Sequence, residues 1–380
     1  MNIPFAKPLI GSKEIKAVTR VLQSGILTHG KYQNEFEKEF SKFTNIKNSV
    51  AISSCTSALF LAYYLSGLNK ESEFIVPAQT HVATVHAGTF FGAKPVFVDC
   101  DPRTGNIDAN LIEEKITKKT KSITVVHFLG KSVDMNKIVK ICKKKNIKLI
   151  EDCALSLGGR YNGMHVGNFG DFGCFSFYPA KHIATGDGGM LACRSKKDFI
   201  KAKLFKGFGV NKTFNERKVP GEYDVVSLGL NFRMTEMQCA LGVEQLKRVK
   251  SFIKTREKNF KYLKDNLKSI KNIEILSTES EKNFISSYYC MSIILKKSLK
   301  SKRVNIINYL KNSGVGTSIY YPKIVPMFSH YKKKYKHKIS DLQNAKNISD
   351  NSICLPVGPH LSRLNLDYII TKFKKINQVK

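Results

Sequence analysis

A lysine stands in apolar, glycine-rich surroundings at Lys181, after the run Cys174-Phe175-Ser176-Phe177 and the break Tyr178-Pro179. Gly186-Asp187-Gly188-Gly189 follows it, whereas the chain's other lysines cluster on polar faces. Burial lowers an amine's pKa and makes it a nucleophile toward carbonyl carbon. Two carboxylates, Glu151-Asp152, follow the strand-like run 148–150. At the mouth of a crevice such a group can hold a metal, a ribose or a protonated ring nitrogen. Between these residues and the lysine lie Gly158, Gly159, Gly163, Gly167, Gly170 and Gly173, which match neither a dinucleotide fingerprint nor a P-loop. A third group, Ser54-Cys55-Thr56-Ser57-Ala58-Leu59, gathers hydroxyls and free backbone N–H groups at a helix start, an anion site by its chemistry. Ser54 or Thr56 acting only as a helix cap accounts for the same residues.

These groups need a frame that brings them together. The apolar runs 50–53, 74–76, 96–98, 123–126 and 149–150 read as buried strands, and 57–66, 82–91 and 135–145 as helices. In the last helix Asp134 stands at the cap, and Met135, Ile138, Val139 and Cys142 form one stripe toward a core while the lysines face water. This alternation predicts an α/β fold with a mostly parallel sheet covered on both faces. Ligands of such sheets sit beyond the carboxyl ends of the strands, where the three groups fall. After about Gln245 come a long basic helical stretch, a polar patch at 277–283 and a strand-like run at 289–295, which predict a smaller C-terminal α+β domain. The expected division is 1–30 as an N-terminal segment packing with the small domain, 31–245 as the large domain and 246–380 as the small one.

With 380 residues, 42% hydrophobic and 24% charged, the chain is too apolar for a disordered protein. Its 63 Lys and Arg against 30 Asp and Glu leave +33, which invites an anionic partner. The charge lies largely in Lys runs such as 143–145 and 332–334, beside many Asn and Ile, as compositional bias and solvated faces also produce. No helix-turn-helix, zinc module or aromatic-laced groove stands out, so nucleic acid is not expected as a partner. Nine cysteines show no two-residue spacing and fit free thiols in a reducing compartment. Residues 1–11 lack the apolar core of a signal peptide, and the most apolar stretch, 56–68, is too short to span a bilayer. A cytoplasmic location without membrane insertion is expected.

The runs Glu151-Asp152-Cys153-Ala154 and Gly167-Asn168-Phe169-Gly170-Asp171-Phe172-Gly173-Cys174-Phe175-Ser176-Phe177-Tyr178-Pro179-Ala180-Lys181 resemble the DegT family of nucleotide-sugar aminotransferases. These are fold type I pyridoxal-phosphate enzymes. Segments 54–59 and 77–84, Gly92-Ala93-Lys94-Pro95, Asn231-Phe232-Arg233-Met234 and Leu355-Pro356 extend the likeness, in family order and spacing. The resemblance implies that Lys181 holds the cofactor aldehyde covalently and later moves the proton, and that Asp152 pairs with the pyridine nitrogen. It assigns Ser176, Thr56 and Ser57 to the cofactor phosphate and His81 to the stacking position over the ring. Asn231 would reach the phosphate from a second subunit, making the active unit a homodimer. Metal ligands are not expected. Two positions depart from the family: Leu155 stands where a Gln is usual, a contact Ser156 could replace, and Lys206-Gly207-Phe208-Gly209 replaces Arg-Asn-His-Gly.

The function so implied is transamination of a nucleotide-linked keto-deoxy sugar, with glutamate as donor, giving an amino sugar for surface polysaccharide or glycan synthesis. The alternative is a sugar 3-dehydratase of the same family, in which His replaces the lysine; here Lys181 is present with His182 beside it. The run Thr185-Gly186-Asp187-Gly188-Gly189 is similar to that of relatives aminating a 4-keto sugar, and the expected product is a 4-amino-4,6-dideoxy sugar.

Overall fold

The computed structural model describes residues 1–379 apart from 213–215, 217, 218 and 220. The chain runs through α1 (Ser12–Ser24), α2 (Tyr32–Thr44), β1 (Ser49–Ile52), α3 (Cys55–Leu65), β2 (Glu73–Pro77), α4 (Val82–Thr89), β3 (Lys94–Val98) and β4 (Thr120–Val126). It continues through α5 (Met135–Lys145), β5 (Lys148–Asp152), β6 (Arg160–Tyr161), β7 (Met164–His165), β8 (Phe172–Ser176), β9 (Gly189–Cys193), α6 (Lys196–Phe205) and α7 (Glu236–Leu267). The last part holds β10 (Ile273–Ile275), β11 (Phe284–Ile285), β12 (Met291–Leu295), α8 (Arg303–Asn312), α9 (Ser329–Lys334), α10 (Gln343–Asn351), β13 (Ser352–Leu355) and α11 (Arg363–Phe373).

The central sheet has seven strands in the order β1-β9-β8-β5-β4-β2-β3. All neighbours from β8 to β3 pair in parallel, and β9 runs antiparallel to both β8 and β1. The expected mostly parallel α/β architecture is therefore present. Alternate strand residues enter opposite cores: Phe74, Val76 and Ile150 pack with α3, while Ile75, Ile123 and Leu149 pack with α5. Burial on both faces is why these strands read as unbroken apolar runs. Helix α5 forms as its sequence dictates, with Asp134 accepting from the Lys137 N–H at 3.4 Å. Its buried stripe is Met135, Ile138, Ile141 and Cys142, with Val139 half-buried. Each such apolar side chain contributes roughly 1.5–3 kcal/mol.

Helix α7 begins with a reciprocal Thr235–Gln238 cap, and residue 245 lies inside it. Beyond it, β10-β12-β13 form a small antiparallel sheet with its own core, including Phe260, Leu310 and Phe373. Just after the polar patch the chain crosses back, because β11 pairs with β6. The N-terminal segment contacts both regions. Ile3 donates its N–H to the Gly314 carbonyl at 2.8 Å, and Ala17 and Val21 of α1 pack on Ala240 of α7.

Candidate active site

Strand register gathers the site at one end of the sheet. Gly189, the first residue of β9, is paired with Ser176 at the end of β8 on one side and with Ile52 at the end of β1 on the other. Asp152 ends β5 and pairs with Cys174 of β8. Three strand ends and one strand start thus set Ser176, Asp152 and the Ser53–Ser57 turn side by side, beyond the carboxyl ends where ligands bind.

The two consecutive carboxylates part company. Asp152 is buried, accepting from Thr84 Oγ1 at 2.8 Å and from the Ala154 N–H at 3.0 Å. Glu151 points to the opposite face, so the expectation of two carboxylates at the cleft mouth is corrected to one. Its oxygens accept from the N–H groups of Gly167, Phe169 and Gly170 at 2.6–2.8 Å, and His127 Nε2 lies 2.9 Å away. His127 and Cys153 complete a cluster with metal-ligating atoms, but Glu151 is already spent on holding the 167–170 turn.

Lys181 follows β8 in a turn closed by its own N–H to the Tyr178 carbonyl at 2.8 Å. Phe177 and Gly188 are joined at 2.9 Å and Thr185 and Phe177 at 2.9 Å, so the loop folds back on the strand end. Burial holds the Lys181 amine below its ordinary value, against an upward pull from Cys55 and Asp152. That is the direction a nucleophilic amine requires. The amine lies 5.3 Å from the centre of the Tyr289 ring.

At the start of α3, Ser54 is the cap, accepting from the Ser57 N–H at 3.1 Å. The Ser57 hydroxyl sits 3.0 Å from those of Ser53 and Ser54, and Thr56 is exposed on the first turn. A Cβ on Gly189 would lie 2.5 Å from the Ser54 carbonyl carbon, so only glycine lets β9 approach this turn. Ser176 is half-buried beside it, its hydroxyl accepting from the Tyr178 N–H at 3.4 Å.

His81 caps α4, its Nδ1 accepting from the Ala83 N–H at 3.2 Å, which leaves the ring proton on Nε2. Partial burial of the ring, with Lys181 adding, holds the imidazole below its ordinary value against Asp152. Asn231 is exposed, with Oδ1 turned back to the Arg233 N–H at 3.3 Å, and its neighbour Phe232 accepts from the Ser53 N–H at 2.9 Å. Leu155 is buried in the core, and the hydroxyl of Ser156 is buried with no hydrogen-bond partner among the described residues. Lys206 is not a cleft residue: its buried amine lies 3.0 Å from the Ala51 carbonyl and 3.5 Å from Glu37.

Thr84 and Tyr289 escaped the sequence reading as site residues. Thr84 lies within the family-like segment 77–84, a signal that was there to use; Tyr289 meets Lys181 only through the tertiary fold. The arrangement suits pyridoxal phosphate. Lys181 offers the amine for its aldehyde, Asp152 a fixed carboxylate for its ring nitrogen, and the glycine-gripped start of α3 donors for its phosphate.

The sequence profile of the DegT/DnrJ/EryC1/StrS aminotransferase family matches residues 8–374. GDP-perosamine synthase of Escherichia coli O157:H7 is 34% identical over 370 residues, covering 97% of this chain and 96% of the relative. The UDP-4-amino-4,6-dideoxy-N-acetyl-beta-L-altrosamine transaminase of Campylobacter jejuni strain 81-176 is 31% identical over 382 residues, covering 100% of this chain and 98% of the relative. The PMP form of Spr1654 from Streptococcus pneumoniae superposes with a TM-score of 0.93 at 28% identity, covering 99% of each chain. Among the described residues no helix is long and apolar enough to cross a membrane. A half-buried lysine and a fixed carboxylate at the strand ends of this sheet, together with a profile match over nearly the whole length, mean that the chain belongs to the DegT/DnrJ/EryC1/StrS aminotransferase family of pyridoxal-phosphate enzymes.

Proposed function

We propose that this enzyme aminates C4 of a nucleotide-linked 4-keto-6-deoxy hexose, with glutamate as the amino donor, at a site completed by a second copy of the chain. The observation that carries the reading is the buried Lys181 amine at the same sheet end as an Asp152 fixed by Thr84 and Ala154. Pyridoxal phosphate would supply an aldehyde to carry the amino group and a ring that accepts an electron pair. Lys181 would hold it through that aldehyde and, as a free amine, would move the proton at the reacting carbon. Asp152 keeps a positive ring nitrogen partnered, and the Ser54–Ser57 turn with Ser176 orients the phosphate end.

Lys181, present where the dehydratases of the family carry His, favours transamination over dehydration. The buried His182 beside it donates its Nε2 proton to the Ser287 carbonyl at 2.9 Å. The relative named for a 4-amino-4,6-dideoxy sugar supports amination at C4, as does the Thr185–Gly189 run. Glutamate rests on the family likeness. The shared site is supported by an exposed apolar surface flanking Asn231, with Phe208, Val225, Val226, Leu228 and Leu230 open to solvent in the single chain. The excess of basic residues helps gather a pyrophosphate-linked substrate.

Borohydride reduction of the purified protein should fix cofactor to Lys181, and Lys181→Ala should lose both trapping and turnover. Retained trapping in that variant would sink the assignment. Product NMR from matched 3-keto and 4-keto nucleotide sugars, each with glutamate, aspartate and glutamine, decides position and donor; exclusive use of the 3-keto compound overturns C4.

A further inference from the structure

We propose that the Tyr289 ring is the seat of the Lys181 amine: a positioning residue that holds the ammonium over its face whenever the lysine is not bonded to cofactor. The amine lies 5.3 Å from the ring centre, within cation–π range. The ring is buried and held from several sides. Its hydroxyl lies 2.7 Å from that of Tyr320, its carbonyl accepts from Arg256 Nη1 at 2.8 Å, and its N–H donates to the Leu129 carbonyl at 3.2 Å. The lysine loop is tied to the same stretch, because His182 donates to the Ser287 carbonyl at 2.9 Å. This bond ties residues 181–182 to the 287–289 stretch and sets the amine beside the ring.

The seat answers an electrostatic need. A buried ammonium is costly without partners, and burial is what depresses this amine. Asp152 is the carboxylate facing it, but that group is engaged by Thr84 and Ala154 and is the partner for the cofactor ring. Cys55 and Cys290 also face it and pull the amine upward, but burial pushes both thiols well up, so neither is a fixed anion. His81 and His182 also stand near the amine, both held below the ordinary imidazole value by burial, and they bring no anion. The electron-rich ring face is left to favour the protonated amine. A lysine that takes and returns a proton at the reacting carbon needs such a partner during the half of the cycle in which it is free.

This inference rests on the aminotransferase reading, and its test is separable from that reading's. In full-length enzyme loaded with pyridoxamine phosphate, where Lys181 is a free amine, its titration is followed by competitive acetylation and peptide mass analysis. Tyr289→Phe keeps the ring and should titrate as wild type. Tyr289→Leu removes it and should shift the midpoint down by about one pH unit. Because Tyr289 is buried and the Leu variant risks misfolding, a series of phenylalanines with one, two and three fluorines at position 289 weakens the ring face at nearly constant shape. The midpoint should fall stepwise along it. A flat series overturns the seat, while loss of borohydride trapping at Lys181 in the wild type would instead overturn the functional reading.

Discussion

Thr84 Oγ1 donates to Asp152 Oδ2 at 2.8 Å, and Thr80 Oγ1 stands 2.8 Å behind it. Since the Thr84 proton goes to the carboxylate, Thr80 must donate to Thr84, and a chain of two hydroxyls ends on Asp152. Each bond polarises the next and fixes the carboxylate's rotamer. Hydrogen bonds to charged groups are worth about 1.5–3 kcal/mol, so Thr84→Val should lower kcat about 10- to 100-fold. Asp152→Asn should cost more, since it removes the charge itself while cofactor still binds. Steady-state rates of the two variants check this order; a Thr84→Val enzyme at wild-type speed would show that the hydroxyl chain is idle.

Lys181 and Asp152 are legible in the sequence because each breaks a local pattern: a lysine in an apolar, glycine-rich stretch and an acid directly after a buried strand. The βα order is legible for the same reason, as every strand buried on both faces is an uninterrupted apolar run. What fails to register is pairing across distance. Thr84 meets Asp152, and Tyr289 meets Lys181, only once β5, α4 and the segment before β12 are assembled. Glu151 is the instructive case between the two. Leu149 and Glu151 share one strand face and Ile150 and Asp152 the other, so strand alternation alone separates the carboxylates, although their adjacency in sequence suggests a pair.

The tight contact between Gly189 and the start of α3 predicts a binding defect rather than a chemical one. In Gly189→Ala the new methyl would meet the Ser54 carbonyl carbon at 2.5 Å and the Cys55 nitrogen at 2.7 Å. Backbone must yield, and the first turn of α3 moves away from Ser176. Cofactor Kd should rise by about tenfold or more, equivalent to ~1.4 kcal/mol, with kcat at saturating cofactor much less affected. Equilibrium titration of the cofactor-free protein measures it. Unchanged affinity would remove this turn from the phosphate site.

If Asn231 serves the neighbouring subunit's site, two dead enzymes should rescue each other. Lys181→Ala and Asn231→Ala are each expected to be inactive or nearly so as homodimers. Mixed and re-equilibrated, half of the dimers carry one site with both residues intact, which restores activity to roughly a quarter of wild type. Covering the exposed Val225, Val226 and Leu228 surface is what would hold those dimers together. No recovery on mixing, or a fully active monomer in sedimentation, contradicts the shared site.

His165 gives the fold a pH dependence of predictable sign. Its Nε2 accepts from the Gly158 N–H at 2.8 Å and its Nδ1 donates to the Val166 carbonyl at 2.5 Å, so the neutral ring uses both nitrogens. Burial pushes this imidazole down to about 3, with the Val166 carbonyl opposing and Arg160 and His127 adding to the fall. The ordinary value, 6.5, applies once the chain unfolds. Above that pH both states are neutral and stability is complete. Below it the unfolded chain binds a proton that the folded one refuses, and stability falls by about 1.4 kcal/mol per pH unit until the folded value is reached. At pH 5 this single ring should cost about 2 kcal/mol. His182, also held well below its ordinary value by burial, adds in the same direction, so the contribution is isolated by difference. Urea midpoints of wild type and His165→Gln between pH 8 and 5 should diverge in slope, the variant being less stable at pH 8 but flatter. Parallel slopes would mean that the His165 ring takes up its proton in the folded protein as readily as in the unfolded one.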